Sequence, residues 1–208
     1  MITYLTSEIR FPNVHQANPD GLLAVGGDLS TERLILAYKK GIFPWFEKNQ
    51  PILWWSPNPR FVLFPEKLKV SKSMKQVLKN HDLTITINQD FKAVITECAK
   101  AKREGQRGTW ITHSMIEAYM KLHKEGVAKS VEVWQDGNLV AGFYGVDLNN
   151  GVFCGESMFT KVSNASKAGF ISFIQNSNYN LIDCQVYTNH LASLGAEDIS
   201  REDFLGFL

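Results

Sequence analysis

Residues 130–159 limit the possible folds more than any other stretch of the chain. Residues 130–134 and 139–146 read as strands, and Gln135-Asp136-Gly137-Asn138 between them centres on Asp-Gly, the chemistry of a tight hairpin. A second reversal at Asn149-Asn150-Gly151 leads into another strand over 152–159. Residues 164–176 then carry a helical pattern and return to a strand over 181–187. Three antiparallel strands, a helix and a further strand, following earlier helices, spell an α+β domain. A mostly antiparallel sheet flanked by helices is expected.

The earlier helices are read from their periods. Residues 71–80 place Met74, Val77 and Leu78 on one face and Lys72, Lys75 and Lys79 on the other, so those lysines form a stripe. Residues 83–87 alternate like a strand. Residues 91–102 turn Phe91, Val94, Ile95 and Cys98 inward, and 114–124 gather Ile116, Tyr119, Met120 and His123 on one face.

The first 60 residues differ in kind, being rich in Gly, Pro and Trp. One short helix is expected there, capped by Ser30, with Leu34, Ala37 and Tyr38 on one side and Gly41 at its end. Prolines at 44, 51, 57 and 59 preclude regular helix beyond it. The expected organisation is a small, stiff N-terminal lobe over residues 1–60 and a larger domain over 61–208.

The net charge of +1, taken alone, argues against a polyanionic partner. Its distribution does not. Between Arg60 and Lys129 there are fourteen basic and seven acidic residues, while the remainder carries eight basic and fourteen acidic ones. Such asymmetry suits a basic surface for a polyanion, although a solvated helical face suits it equally.

No basic segment followed by an apolar run opens the chain, and no apolar stretch approaches the roughly 20 residues needed to cross a bilayer. Three cysteines without paired spacing fit reduced thiols, and five scattered histidines suggest no metal site. A cytoplasmic, metal-free protein with no membrane partner is expected.

The order of elements resembles that of acetyltransferase-type N-acyltransferases. In those folds the helix after the central hairpin usually opens with a Gly-rich loop that holds a pyrophosphate. Here that loop, Lys161-Val162-Ser163-Asn164-Ala165-Ser166-Lys167, has no glycine, which disfavours an acyl donor on coenzyme A. A narrower resemblance supplies another carrier. The strings Pro19-Asp20-Gly21-Leu22-Leu23, Gly26-Gly27-Asp28-Leu29-Ser30, Gly41-Ile42-Phe43-Pro44-Trp45-Phe46 and Trp54-Trp55-Ser56-Pro57 are similar to N-terminal signatures of the leucyl/phenylalanyl-tRNA–protein transferase family. Gly108-Thr109-Trp110-Ile111-Thr112, Phe153-Cys154-Gly155-Glu156-Ser157-Met158-Phe159, Leu181-Ile182-Asp183-Cys184-Gln185 and His190-Leu191-Ala192-Ser193-Leu194-Gly195-Ala196 resemble its C-terminal ones.

The resemblance implies a small lobe on an acetyltransferase-like domain. It implies an aminoacyltransferase that moves Leu, Phe or Met from charged tRNA to the α-amino group of proteins beginning with Arg or Lys, marking them for degradation. No cofactor is expected, because the donor is already an activated ester, and a monomer would suffice. The enzyme must hold two reactants in line, remove a proton from the amine and stabilise an oxyanion.

Candidate residues follow. Asp183 and Gln185, two apart in a strand, should share a face. The resemblance implies that Asp183 orients Gln185, whose carbonyl oxygen accepts from the amine. A neutral amide is a very weak base, so positioning is the more physical role for Gln185. Glu156, among apolar and small residues, wants a cation or donors, and the acceptor's ammonium or its Arg/Lys side chain would serve. Phe143, Phe153, Met158, Phe173 and Ile182 are candidate walls of an aminoacyl pocket. Trp45, Trp110 and Tyr119 are candidates to stack the terminal adenosine, and Lys72, Lys75 and Lys79 to meet the tRNA. Two other readings stay open: a non-catalytic RNA-binding module, and a cysteine hydrolase using Cys154 or Cys184 with His190 or His113.

Overall fold

The computed structural model describes residues 2–80, 82–101 and 109–208. Lys102, Arg103 and Arg107 of the basic segment, and Gly108 at the head of its motif, lie outside the described residues.

The N-terminal region is more regular than its prolines suggest. β1 (Thr3–Leu5) and β2 (Leu22–Gly26) lead to helix α1 (Thr31–Lys39), then β3 (Phe43–Pro44) and β4 (Leu53–Trp55). The four strands form one sheet in the order β1-β2-β4-β3. Pro44 is tolerated because β3 is an edge strand, and Pro51, Pro57 and Pro59 fall outside the strands. Strands this short leave too little alternation to be read from a sequence. α1 starts where Ser30 Oγ accepts the Arg33 N–H and ends before Gly41, whose φ of +69° reverses the chain.

β5 (Arg60–Leu63) opens the second sheet. It is followed by α2 (Lys72–Lys79), β6 (Thr84–Ile87), α3 (Phe91–Lys100) and α4 (His113–Lys124). α4 buries Met115, Ala118, Tyr119 and Leu122, while Ile116, Met120 and His123 sit half-buried at the flank. The apolar stripe is thus rotated from the expected one. Two overlapping stripes exist on this helix, and its packing against α1, α3 and the neighbouring sheet selects between them.

The meander follows as β7 (Ala128–Gln135), β8 (Asn138–Asp147) and β9 (Val152–Thr160). Then come α5 (Ala165–Gln175), β10 (Leu181–Gln185), α6 (Asn189–Ser193), β11 (Glu197–Ile199) and α7 (Arg201–Leu205). The seven strands run β11-β5-β10-β9-β8-β7-β6. Every neighbouring pair is antiparallel except β9 and β10, which α5 joins by a crossover. The fold is α+β, with a small N-terminal sheet beside a mostly antiparallel sheet flanked by helices.

The largest buried cluster joins the small lobe to the large sheet, because Leu34 and Trp54 share it with Val62, Tyr144 and Val146. A second cluster lies under α2 and α5 and contains Phe143, Phe153, Phe170, Phe173 and Ile182. Among the described residues no helix is long and apolar enough to cross a membrane.

Candidate active site

Two β-bulges place the site. Between β8 and β9, Tyr144 pairs with Ser157 and Gly145 with Gly155, so Glu156 has no direct partner. Between β5 and β10, Val62 pairs with Asp183 and Phe61 with Gln185, which leaves Cys184 as the extra residue. Bulges re-aim side chains, and these two flank the parallel pairing of β9 with β10, which stops at Cys154 and Asp183. Gly145 permits the first bulge: a Cβ there would lie 2.3 Å from the Cys154 carbonyl oxygen. Gln185 adopts φ +64°, a left-handed conformation uncommon outside glycine. Sequence spacing alone therefore misjudges where Gln185 points.

Where the pairing stops, a cavity of about 440 Å³ opens. That lies within the roughly 300–1,000 Å³ usual for ligand sites. Its apolar wall includes Phe143, Met158 and Ile182 from the expected pocket, joined by Phe170, which the sequence did not single out. Trp110 and Trp45 also line it, and Trp45 remains 38% exposed. Trp54 is fully buried, with its indole N–H on the Gly26 carbonyl, so it is scaffold.

Three expected site residues are elsewhere. Phe153 and Phe173 are buried against each other, with ring centroids 4.8 Å apart, and each lies 5.5 Å from the Tyr179 ring. Phe153 on β9 and Phe173 on α5 share a buried cluster with Phe143, but of the three only Phe143 reaches the cavity. Tyr119 is fully buried and has no face to offer an adenosine. Its hydroxyl instead donates to Glu156 Oε2 at 2.9 Å and is hydrogen-bonded to the Tyr38 hydroxyl.

The carboxylates are also arranged differently from the expectation. Asp183 forms a two-pronged, fully buried ion pair with Arg60, Nε to Oδ1 at 2.8 Å and Nη2 to Oδ2 at 2.6 Å. Arg60 lies between the Phe43 and Phe204 rings, 4.8 and 4.5 Å from their centroids, and donates to the Gly41 carbonyl. Asp183 Oδ1 also accepts the backbone N–H of Gln185, so it holds that residue by its main chain rather than by its amide. The side-chain amide of Gln185 donates instead to Glu156 Oε1 at 2.6 Å. Glu156 is thus supplied with internal donors from Gln185 and Tyr119. Burial pushes its pKa up to about 7 against the opposing effect of those donors, and the Asp183 charge adds to the rise.

Arg60, one of the fourteen basic residues of the central segment, is therefore no surface charge; its 123-residue separation from Asp183 offers no sequence signal. Other basic residues of that segment are likewise neutralised. Lys67 pairs with Glu197, Lys129 with Asp147 and Lys100 with Glu97. The segment is less basic as a surface than as a string. Lys72, Lys75 and Lys79 are exposed on α2 and make no ion pair among the described residues.

A thiol nucleophile fits poorly. Burial, followed by the Asp183 charge, raises the pKa of both Cys154 and Cys184 well above the ordinary thiol range, opposite to what catalysis needs. His113 is exposed and paired with Glu117. His190 lines the cavity with Nε2 unpaired among the described residues, and burial, aided by Lys167, keeps its pKa below the usual value. No cluster of His, Cys, Asp and Glu among the described residues is placed to hold a metal ion.

Comparison with known proteins gives consistent matches along the chain. The family model described as leucyl/phenylalanyl-tRNA protein transferase matches residues 62–208, and the model of that family's N-terminal domain matches 27–58. A relative from Flavobacterium johnsoniae named leucyl/phenylalanyl-tRNA--protein transferase is 57% identical, over 99% of this chain and 98% of its own. One of the same name from Pseudomonas fluorescens strain Pf0-1 is 51% identical, over 100% and 94%. Among solved structures, a GCN5-related N-acetyltransferase from Kribbella flavida overlays with a TM-score of 0.41 at 12% identity, covering 78% of this chain and 58% of that one.

Proposed function

The chain belongs to the leucyl/phenylalanyl-tRNA–protein transferase family, and from that premise we propose how its cavity carries out the transfer. It is an aminoacyltransferase acting on charged tRNA and a protein. The donors are Leu-, Phe- and Met-tRNA, and the acceptor is the α-amino group of a protein beginning with Arg or Lys, which is thereby marked for degradation. The enzyme works as a monomer in the cytoplasm, with residues 1–60 as a lobe that closes over the cavity through Phe43 and Trp45, and 61–208 as the catalytic domain.

One observation supports this reading above the others: a single cavity joins an apolar slot, two tryptophans and a hydrogen-bonding amide. Phe143, Met158, Phe170 and Ile182 form the slot for the aminoacyl side chain. Such walls discriminate by only about 1–3 kcal/mol per methylene, which suits acceptance of Leu, Phe and Met together. Trp45 and Trp110 stack the terminal adenosine, a contact contributing about 1–3 kcal/mol. Gln185 positions the attacking amine with its carbonyl oxygen. Asp183, anchored by Arg60, holds the backbone of Gln185 in its left-handed conformation. Lys72, Lys75 and Lys79 meet the tRNA backbone.

The test is incubation with Leu-tRNA and a peptide bearing N-terminal Arg or Lys, read by mass. Gain of one leucyl residue is expected, and a folded chain that adds nothing refutes the reading. Gln185→Ala should abolish transfer while tRNA binding persists, which an RNA-binding module would not predict.

A further inference from the structure

The weak basicity of an amide is the chemical difficulty at this site, and the contacts around Gln185 resolve it. Its Nε2–H donates to Glu156 Oε1 at 2.6 Å. Tyr119 donates to the other oxygen of the same carboxylate at 2.9 Å, and the Tyr38 hydroxyl lies behind Tyr119. A hydrogen-bonded line thus runs inward from the cavity, through Gln185 and Glu156, to two fully buried tyrosines. We propose that Glu156 is the reservoir for the transferred proton, reached through the amide of Gln185, so that this amide works as a two-ended relay rather than as a base. The proposal rests on the transfer reaction given above.

The step balances without a co-reactant. As the neutral amine forms its bond to the ester carbon, its proton passes to Gln185 Oε1 while the Nε2 proton passes to Glu156 Oε1. Gln185 is then briefly an imidic acid, and Glu156 is neutral. When the bond from carbon to the ribose oxygen breaks, the proton on Gln185 Oε1 goes to that leaving oxygen, and Glu156 returns its proton to Nε2. One proton has moved from nitrogen to oxygen, and both side chains are restored. Because Glu156 acts on the reactants through the Gln185 amide, it is a positioning residue for the proton.

The groups facing Glu156 favour reversible protonation. Tyr119 from α4 and Tyr38 from α1 stabilise its charged form by hydrogen bonding, while burial and Asp183 from β10 oppose it. Arg60 from β5 is committed to Asp183, and the nearby Cys154 thiol on β9 is held protonated by burial. The balance leaves Glu156 titrating at about 7, so either state is accessible near neutrality.

The test is single-turnover transfer from Leu-tRNA to an Arg-initiated peptide across pH, comparing the wild type with Glu156→Gln, Glu156→Asp and Tyr119→Phe. The acceptor amine's own titration cancels in ratios between enzymes. The ratio of wild-type to Glu156→Gln rates should rise from near one at acid pH to about 10² above the titration of Glu156. Tyr119→Phe removes a donor to the carboxylate, so the rise in its rate should move to higher pH. Glu156→Asp, which keeps a titrating carboxylate, should keep the pH-dependent rise at a reduced rate. Leu-tRNA affinity should stay unchanged throughout. A pH-independent ratio for Glu156→Gln, or an unmoved profile for Tyr119→Phe, overturns the relay. Absence of transfer by the wild type overturns instead the reaction on which it rests. Should Glu156→Gln fail to fold, the other two variants still decide.

Discussion

Arg60→Met removes the cation from a pair that is almost completely buried, with Asp183 0% and Arg60 1% exposed. Methionine keeps much of the apolar contact with Phe43 and Phe204, so the perturbation falls mainly on charge and hydrogen bonding. Stranding one partner of a buried pair costs about 3–5 kcal/mol. For a chain of this length each kcal/mol lowers Tm by about 2–4 °C, so a fall of about 6–20 °C is expected. Asp183→Asn should also destabilise, by stranding the guanidinium between two rings. The double variant is the informative one. With both charges gone, and the introduced asparagine still able to accept the Gln185 N–H, its loss should fall short of the summed single losses by about 2–3 kcal/mol. Urea unfolding of the four proteins measures this coupling. Losses that add within about 0.5 kcal/mol would refute the reasoning, because the two groups would then stabilise the site independently.

Three further outcomes follow from the same geometry. Replacing Lys72, Lys75 and Lys79 together by Gln should weaken tRNA binding and flatten its dependence on salt, by about 0.9 in log–log slope for each phosphate no longer neutralised; an unchanged slope would place the tRNA surface elsewhere. Trp110→Ala should weaken Leu-tRNA binding by about 1–3 kcal/mol in an equilibrium filter assay, and unaltered affinity would remove the stacking role. Cys184→Ala should retain transfer activity, because a thiol held protonated by burial supplies no nucleophile; loss of activity with the fold intact would revive covalent catalysis.

The meander is legible in the sequence because its alternation and its Asp136-Gly137 turn are local properties. α2 is legible for the same reason, with its lysines opposite Met74, Val77 and Leu78. The four-stranded N-terminal sheet is not, since strands of two to five residues leave no period, and its prolines mislead until the edge position of β3 is known. Of the expected pocket walls, Phe143, Met158 and Ile182 reach the cavity while Phe153 and Phe173 do not. Strand alternation for Phe153 and helical period for Phe173 assign each side chain a face but not the neighbours that this face meets.

Residues 130–159 and their neighbours therefore determined much by themselves: the hairpins, the α+β class and the residue types from which a site can be built, because backbone preference and side-chain period act over a few neighbours. Only the tertiary structure decided what those residues do to one another. Two bulges in separate strand pairs bring Glu156 to the Gln185 amide, and chain contacts across 123 residues give Asp183 its partner in Arg60. Glu156, expected to want a cation or donors, meets two internal donors. Such pairings depend on desolvation and on distance in space, and neither is written in spacing along the chain.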